Sequence, residues 1–260
     1  PVTHNVVMTS FGPIAPHLLN QPLRFPSSQY PPEEGNRWVR HSLRDINEKS
    51  SFHDRQYSWG FTIFRTVYTP ESNEAFPEAI EALHHFANDY ATGELSVKPR
   101  LNQDPLDPAP NEELARRFYC DIVEDEKNLD GASPDEVAKR FDIWVQEHLQ
   151  PEGQARPKIG RFCFCIMLDQ QGIDHLLDLS TGETSRGSYR NKLNPYVKVV
   201  TEADNWNEQG GERFWLRVGI KSYLFGLAFG WPEDLDISEL GNPDPTDGIH
   251  NMYGMYPFDC

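Results

Sequence analysis

Between Ser58 and Tyr68 the apolar residues fall on both phases of a two-residue period. Trp59, Phe61, Ile63, Arg65 and Val67 alternate with Gly60, Thr62, Phe64, Thr66 and Tyr68. A strand apolar on both sides is predicted to be central in a sheet. After Thr69-Pro70-Glu71-Ser72 the period changes: Phe76, Ile80, Leu83, Ala87 and Tyr90 recur at spacings of four, three, four and three. That is the stripe of an amphipathic helix, with Pro77 expected in its first turn, where a missing N–H costs least. A second strand is predicted over 117–125. Ser133-Pro134-Asp135-Glu136 then reads as a capping box: Ser as N-cap, Pro at the first helical position and Glu reaching back. Val137, Phe141, Trp144, Val145, His148 and Leu149 form the apolar stripe of the helix it opens.

Further along, the pattern predicts a strand over 159–169, a short helix over 173–179, strands over 196–202 and 214–220, and an aromatic helix or turn over 221–230. Residues 1–56 are rich in Pro, Ser, Asn and charge and read as an irregular N-terminal arm with a short helix near Arg37–Ile46. Residues 92–112 read as a Pro/Asp-rich loop insertion, and 241–260 as a Pro/Gly-rich C-terminal tail. Met252, Tyr253, Met255, Tyr256 and Phe258 give that tail apolar surface to dock with. The expected architecture is a single α+β domain over 57–240: a mixed β-sheet with helices packed on one face, partly ferredoxin-like.

Composition narrows the partners. Forty Asp and Glu against 24 Lys and Arg leave a formal net charge of −16, so the chain lacks the basic field that phosphate backbones require. Nucleic acid is therefore not an expected partner. The most basic stretch, 156–198, carries Arg156, Lys158, Arg161, Arg186, Arg190, Lys192 and Lys198, and reads as a solvated face. No window approaches the ~18–20 apolar residues of a spanning helix, and no membrane association is expected. Residues 1–20 lack the charged and apolar regions of a secretory leader, although a chain that begins with Pro leaves room for one removed earlier. Four cysteines in 260 residues do not make a disulfide scaffold. Cys163 and Cys165, two apart in a predicted strand, would share a face without bridging. A reducing compartment follows, cytoplasmic or nucleocytoplasmic.

The sequence contains none of the glycine-rich phosphate loops, nucleophile elbows, H-E-x-x-H zinc motifs or C-x-x-C pairs that announce common chemistries. No cofactor and no metal site is expected. Arg65 is the most informative residue, because it shares a strand face with Phe61, Ile63 and Val67. A guanidinium among core residues needs an acidic or carbonyl partner. A buried, fold-specifying ion pair is the plainer reading, and a clamp for a substrate anion the sharper one. Glu124-Asp125, Asp169, and Glu202 with Asp204 follow apolar strands. They would gather at one sheet edge if those strands ran parallel, able to hold Mg²⁺ or act as acid and base. The plainer reading is that strands end where polar residues begin. Arg65, Tyr68, Glu124, Asp169 and Trp59 are the candidate binding residues, and no catalytic residue is assigned. His84 and His85 lie ~100° apart on one helix and cannot share a metal. His148 reads as a histidine at the core edge, and Cys163 as an inert thiol.

The run Tyr57-Ser58-Trp59-Gly60-Phe61-Thr62-Ile63-Phe64-Arg65-Thr66-Val67-Tyr68, the capped helix after Leu129-Asp130-Gly131-Ala132-Ser133, and the strand closing on Met167-Leu168-Asp169 resemble an uncharacterised family of hypothetical proteins from filamentous fungi. The resemblance covers 57–230 and rests on a W-G-F-x-I-F-R-x-x-Y strand motif. It implies a shared fold and brings no activity with it. The expected function is a soluble intracellular binding or interaction protein without catalysis of its own, its partner a protein or a small molecule, with a homo-oligomer formed through the terminal arms as one outcome. The alternative is a small-molecule or phosphate-ester enzyme using Arg65 with strand-end carboxylates. The exposure of Arg65 separates the two.

Overall fold

A computed structural model describes residues 37–48, 57–96, 106–148, 160–180, 195–201, 215–230 and 249–250. In chain order these form α1 (Trp38–Glu48), β1 (Thr62–Arg65), α2 (Pro70–Ser96), α3 (Ala109–Arg116), β2 (Asp121–Val123), α4 (Glu126–Leu129), α5 (Pro134–His148), α6 (Gly160–Cys163), β3 (Phe164–Leu168), α7 (Gln170–Ser180), β4 (Tyr196–Thr201), β5 (Trp215–Gly219), a wide π-type turn (Ile220–Leu224), α8 (Phe225–Gly230) and β6 (Ile249–His250). The class is α+β. The six strands form one mixed sheet in the order β2-β1-β3-β4-β5-β6. β1 runs parallel to both β2 and β3, β4 is antiparallel to its two neighbours, and β6 is parallel to β5.

β1 is central and fully buried, as its two apolar phases predict. Ile63 contributes to one core and Phe64 to the other. Trp59, Ile63, Ile166, Val197 and Val199 pack with α1, α2, α3, α7 and α8, whereas Phe64, Cys165, Met167 and Val200 pack with α4 and α5. Helices therefore cover both faces, and this departs from the one-faced layer expected. A strand apolar on both sides requires it, because each face must be removed from water. Three adjacent parallel strands likewise replace a ferredoxin-like order.

Gly60 explains the W-G-F motif. Before β1 the chain bridges Trp59 to Phe118. Gly60 passes Tyr119 so closely that a Cβ would lie 2.2 Å from its carbonyl oxygen, and its φ is +135°. Only glycine fits both conditions.

Several boundaries move. α2 starts at Pro70 with Thr69 as its cap, its Oγ1 accepting from Ser72 N at 3.1 Å. Pro at the first position suits this start. Pro77 consequently sits two turns inside the helix, on its exposed side. α2 runs on into the segment read as a loop insertion, and α3 rises from Pro108-Ala109-Pro110, where Asp107 Oδ1 accepts the Ala109 N–H at 3.1 Å. The strand expected over 159–169 opens as the helical turn α6, so Cys163 and Cys165 face opposite cores. The capping box forms as read. Ser133 Oγ accepts from Glu136 N at 3.4 Å, and Glu136 Oε2 accepts from Ser133 N at 2.8 Å. Ile249 and His250 pair with β5, which places part of the tail on the sheet. The arm before residue 37 and the tail aromatics lie outside the described residues.

Candidate functional site

The connection from β1 to β2 packs α2 and α3 against one face, and that from β2 to β3 packs α4 and α5 against the other. Chain leaving β1 thus goes to one face and chain leaving its neighbour β2 to the other, and in open sheets of this kind ligands settle outside the carboxyl ends of such strands. Arg65 ends β1, Glu124 follows β2 and Asp169 follows β3. The parallel strands bring all three to this edge.

Arg65 is closed off there. Its Nη1 donates to Glu124 Oε1 at 2.8 Å and its Nε to the Val67 carbonyl at 2.9 Å, while Nη2 donates to Ser72 Oγ at 3.4 Å and to Asn73 Oδ1. The guanidinium carbon stands 4.6 Å from the Tyr68 ring centroid and 4.5 Å from that of Phe76. The Arg65 side chain is 7% exposed and that of Glu124 is 23% exposed. Ser72 and Asn73 arrive from the first turn of α2, so the Thr69 cap that starts this helix also sets two of the partners.

Asp169 is brought to the same edge and takes a different partner. Its Oδ2 accepts from Lys198 Nζ at 2.5 Å, and its Oδ1 caps α7 by accepting from Gly172 N at 3.0 Å. Asp125 Oδ2 lies 3.7 Å from Arg140 of α5. Tyr68 closes the β1 side: its hydroxyl donates to the Arg65 carbonyl at 3.1 Å and accepts from Asp125 N at 2.9 Å. Burial pushes the Tyr68 phenol up to about 12. Trp59 does not belong to the site. It lies before the opposite end of β1, buried, with Nε1 donating to the Leu114 carbonyl at 2.7 Å. Glu202 and Asp204 lie outside the described residues.

The histidines behave as helix geometry dictates. His84 is buried against Phe118, and burial lowers it to about 4; its Nδ1 has no hydrogen-bond partner among the described residues. His85 points outward, 3.5 Å from Asp89. His148 stacks on Trp144 with centroids 4.2 Å apart, at the edge of the core. Among the described residues Cys120, Cys163 and Cys165 are free thiols, and burial raises Cys120 to about 12, which makes it a poor nucleophile. No group of three or more His, Cys, Asp or Glu among the described residues is placed to hold a metal ion.

Two polar centres escaped the sequence reading. Arg161, read as part of a solvated basic face, is buried: its side chain is 1% exposed and it pairs with Asp121, itself 3% exposed. Its Nη2 also donates to the Tyr119 carbonyl at 2.7 Å. The signal was Asp121 inside the apolar run from Phe118 to Val123, where a carboxylate demands a cation. At the other centre, Arg37 donates to Glu94 Oε1 at 2.5 Å and to Asn111, tying α1 to α2 and α3.

These features define an α+β protein whose strand-end charges are held in closed or half-closed ion pairs. No family model, no curated protein and no solved structure matches the chain.

Proposed function

We propose that the protein binds a partner, either another protein or a small molecule, and performs no chemistry of its own. The enclosure of Arg65 carries this reading. A guanidinium that donates to Glu124, Asn73, Ser72 and the Val67 carbonyl, sandwiched by Tyr68 and Phe76, has its charge balanced and its faces covered. Clamping a substrate anion would require breaking this network and leaving Glu124 unpaired.

The fungal-family resemblance belongs to the same proposal, and so does a reducing, cytoplasmic or nucleocytoplasmic compartment, which the free thiols Cys120, Cys163 and Cys165 support. A second copy joined through the aromatic terminal arms is a further partner in this reading. The alternative, a small-molecule or phosphate-ester enzyme, draws on one observation: Glu124 and Asp169 share the carboxyl edge with Arg65.

Incubating the full chain with a panel of phosphate monoesters and carboxylic esters, followed by phosphorus and proton NMR, tests this. The expected result is no turnover. Turnover abolished by Arg65→Lys would replace the binding reading with the enzymatic one.

A further inference from the structure

We propose that His84 and Asn88, one turn apart on α2, hold a buried water molecule in the seam between this helix and the chain that leads into β2. The site lies farther along α2 than the Arg65 contacts, which Ser72 and Asn73 make from its first turn. It does not depend on which partner the protein binds.

The helix sets the pair. With Ile80, Leu83, Ala87 and Ala91 turned into the core, His84 and Asn88 fall together on the flank beside them. His84 is 7% exposed, and its ring meets Phe118 at 80°, with centroids 4.9 Å apart. Phe118 bridges to Trp59 ahead of β2, so this flank of α2 faces the chain entering the sheet. Nδ1 of His84 and Oδ1 of Asn88 are both sealed from solvent, and neither has a hydrogen-bond partner among the described residues. Neighbouring side chains show the usual ways of meeting that need. His148 Nδ1 lies 2.8 Å from the Trp144 carbonyl one turn back on α5, and His175 Nδ1 lies 2.9 Å from the Tyr196 carbonyl. Thr92, one turn beyond Asn88, donates its hydroxyl to the Asn88 carbonyl at 2.8 Å. Nδ1 of His84 and Oδ1 of Asn88 take neither route.

Buried polar atoms left unpaired cost stability, and water is the ordinary remedy where two of them lie within reach of one molecule. Residues four apart on a helix have Cβ atoms about 5–6 Å apart. A water making two bonds of about 2.8–3.0 Å spans such a gap. The chemistry of the pair also selects water over an ion. The tautomer of His84 and the orientation of the Asn88 amide decide whether each atom gives or takes a hydrogen bond, and water answers every combination because it does both. A metal or ammonium ion serves acceptors alone, and would bring a charge into a seam walled by Phe118. Burial that lowers His84 to about 4 keeps the ring neutral there.

Magnetic relaxation dispersion of the water oxygen nucleus, which counts long-lived waters on the full chain, tests the site. His84→Phe, which keeps a ring against Phe118, and Asn88→Leu should each lose one long-lived water. The double variant should lose that same water and no more, because a single molecule serves both atoms. Thr92→Val, one turn further on, alters neither atom and should keep the wild-type count. Crystals of the wild type give a readout that needs no variant: density for a water within hydrogen-bonding distance of both atoms is expected. A direct bond between Nδ1 and Oδ1 in those crystals, or no water on either atom, overturns the site. An unchanged count in either single variant, a double variant that loses two waters, or an equal loss in Thr92→Val does the same.

Discussion

Arg65 and Glu124 lie on the same face of adjacent parallel strands, and their charges meet 2.8 Å apart where those strands end. The two-residue period accounts for the choice of partner. Ile63 and Ile122 face the core formed with α2, so Arg65 and Glu124, each two residues further on, share that side. Leu168 also faces it, and Asp169, one residue on, turns to the other side, where Lys198 waits. Asp125, one past Glu124, turns the same way and meets Arg140. Three acids at one edge thus find three separate cations.

Gly60 gives the sharpest single-site expectation. Gly60→Ala places a methyl group against the Tyr119 carbonyl and forces a side chain into φ +135°. The variant should lose about 3 kcal/mol or more of unfolding free energy. A urea titration showing an unchanged midpoint would mean that the chain can pass Tyr119 differently.

The Arg161–Asp121 pair is more deeply buried than Arg65–Glu124. Arg161→Met strands the Asp121 carboxylate in the core, at a cost of about 3–5 kcal/mol. Denaturation of both variants should rank it above Arg65→Met, and the reverse order would contradict the burial seen here.

Ser133→Ala removes the N-cap acceptor of the helix that buries Phe141 and Trp144. It should cost about 0.5–2 kcal/mol. The Ser133 backbone N–H and hydroxyl also hold the Glu136 carboxyl below its ordinary range. That contribution is present above the ordinary carboxylate pKa and is lost as pH falls through the lowered value, so the gap between wild type and Ser133→Ala should narrow in acid. A gap that stays constant would place the helix start elsewhere.

His84 makes the fold acid-sensitive. Its folded pKa, lowered to about 4 by burial, lies below the ordinary 6.5, so between these values the unfolded chain binds the extra proton. Stability is full above 6.5, falls as pH drops, and is diminished by about 3 kcal/mol once both states are protonated below 4. His84→Phe, which keeps a ring against Phe118, should flatten this part of the stability profile. An unchanged slope would assign the acid sensitivity to other groups.

Much of the fold was legible where periodicity was long. β1, the α5 capping box and the apolar stripe of α2 needed only local pattern. Layering was harder, because the two phases of β1 demand cover on both faces without naming the helices that provide it. The site was half legible: that Arg65 needed an acidic or carbonyl partner followed from its phase, and Glu124 was among the strand-end acids named. The choice required the register, which sets Val123 beside Phe64 and Leu168 beside Arg65. Arg161 was hidden because α6 interrupts the expected strand, and the change of period concealed which way its side chain pointed.

The central claim, that Arg65 and Glu124 hold the fold rather than act on a substrate, is tested most directly by a double-mutant cycle on stability, read beside turnover of the phosphate-monoester and carboxylic-ester panel. Arg65→Met alone should lose about 2–4 kcal/mol, somewhat below a fully enclosed pair because Glu124 keeps some contact with water. Arg65→Met with Glu124→Leu should recover most of that loss, since neither charge is left unpaired, and should turn over none of the esters, as the wild type turns over none. Turnover by the wild type that the double variant loses while regaining stability would contradict the account and place Arg65 in a working site.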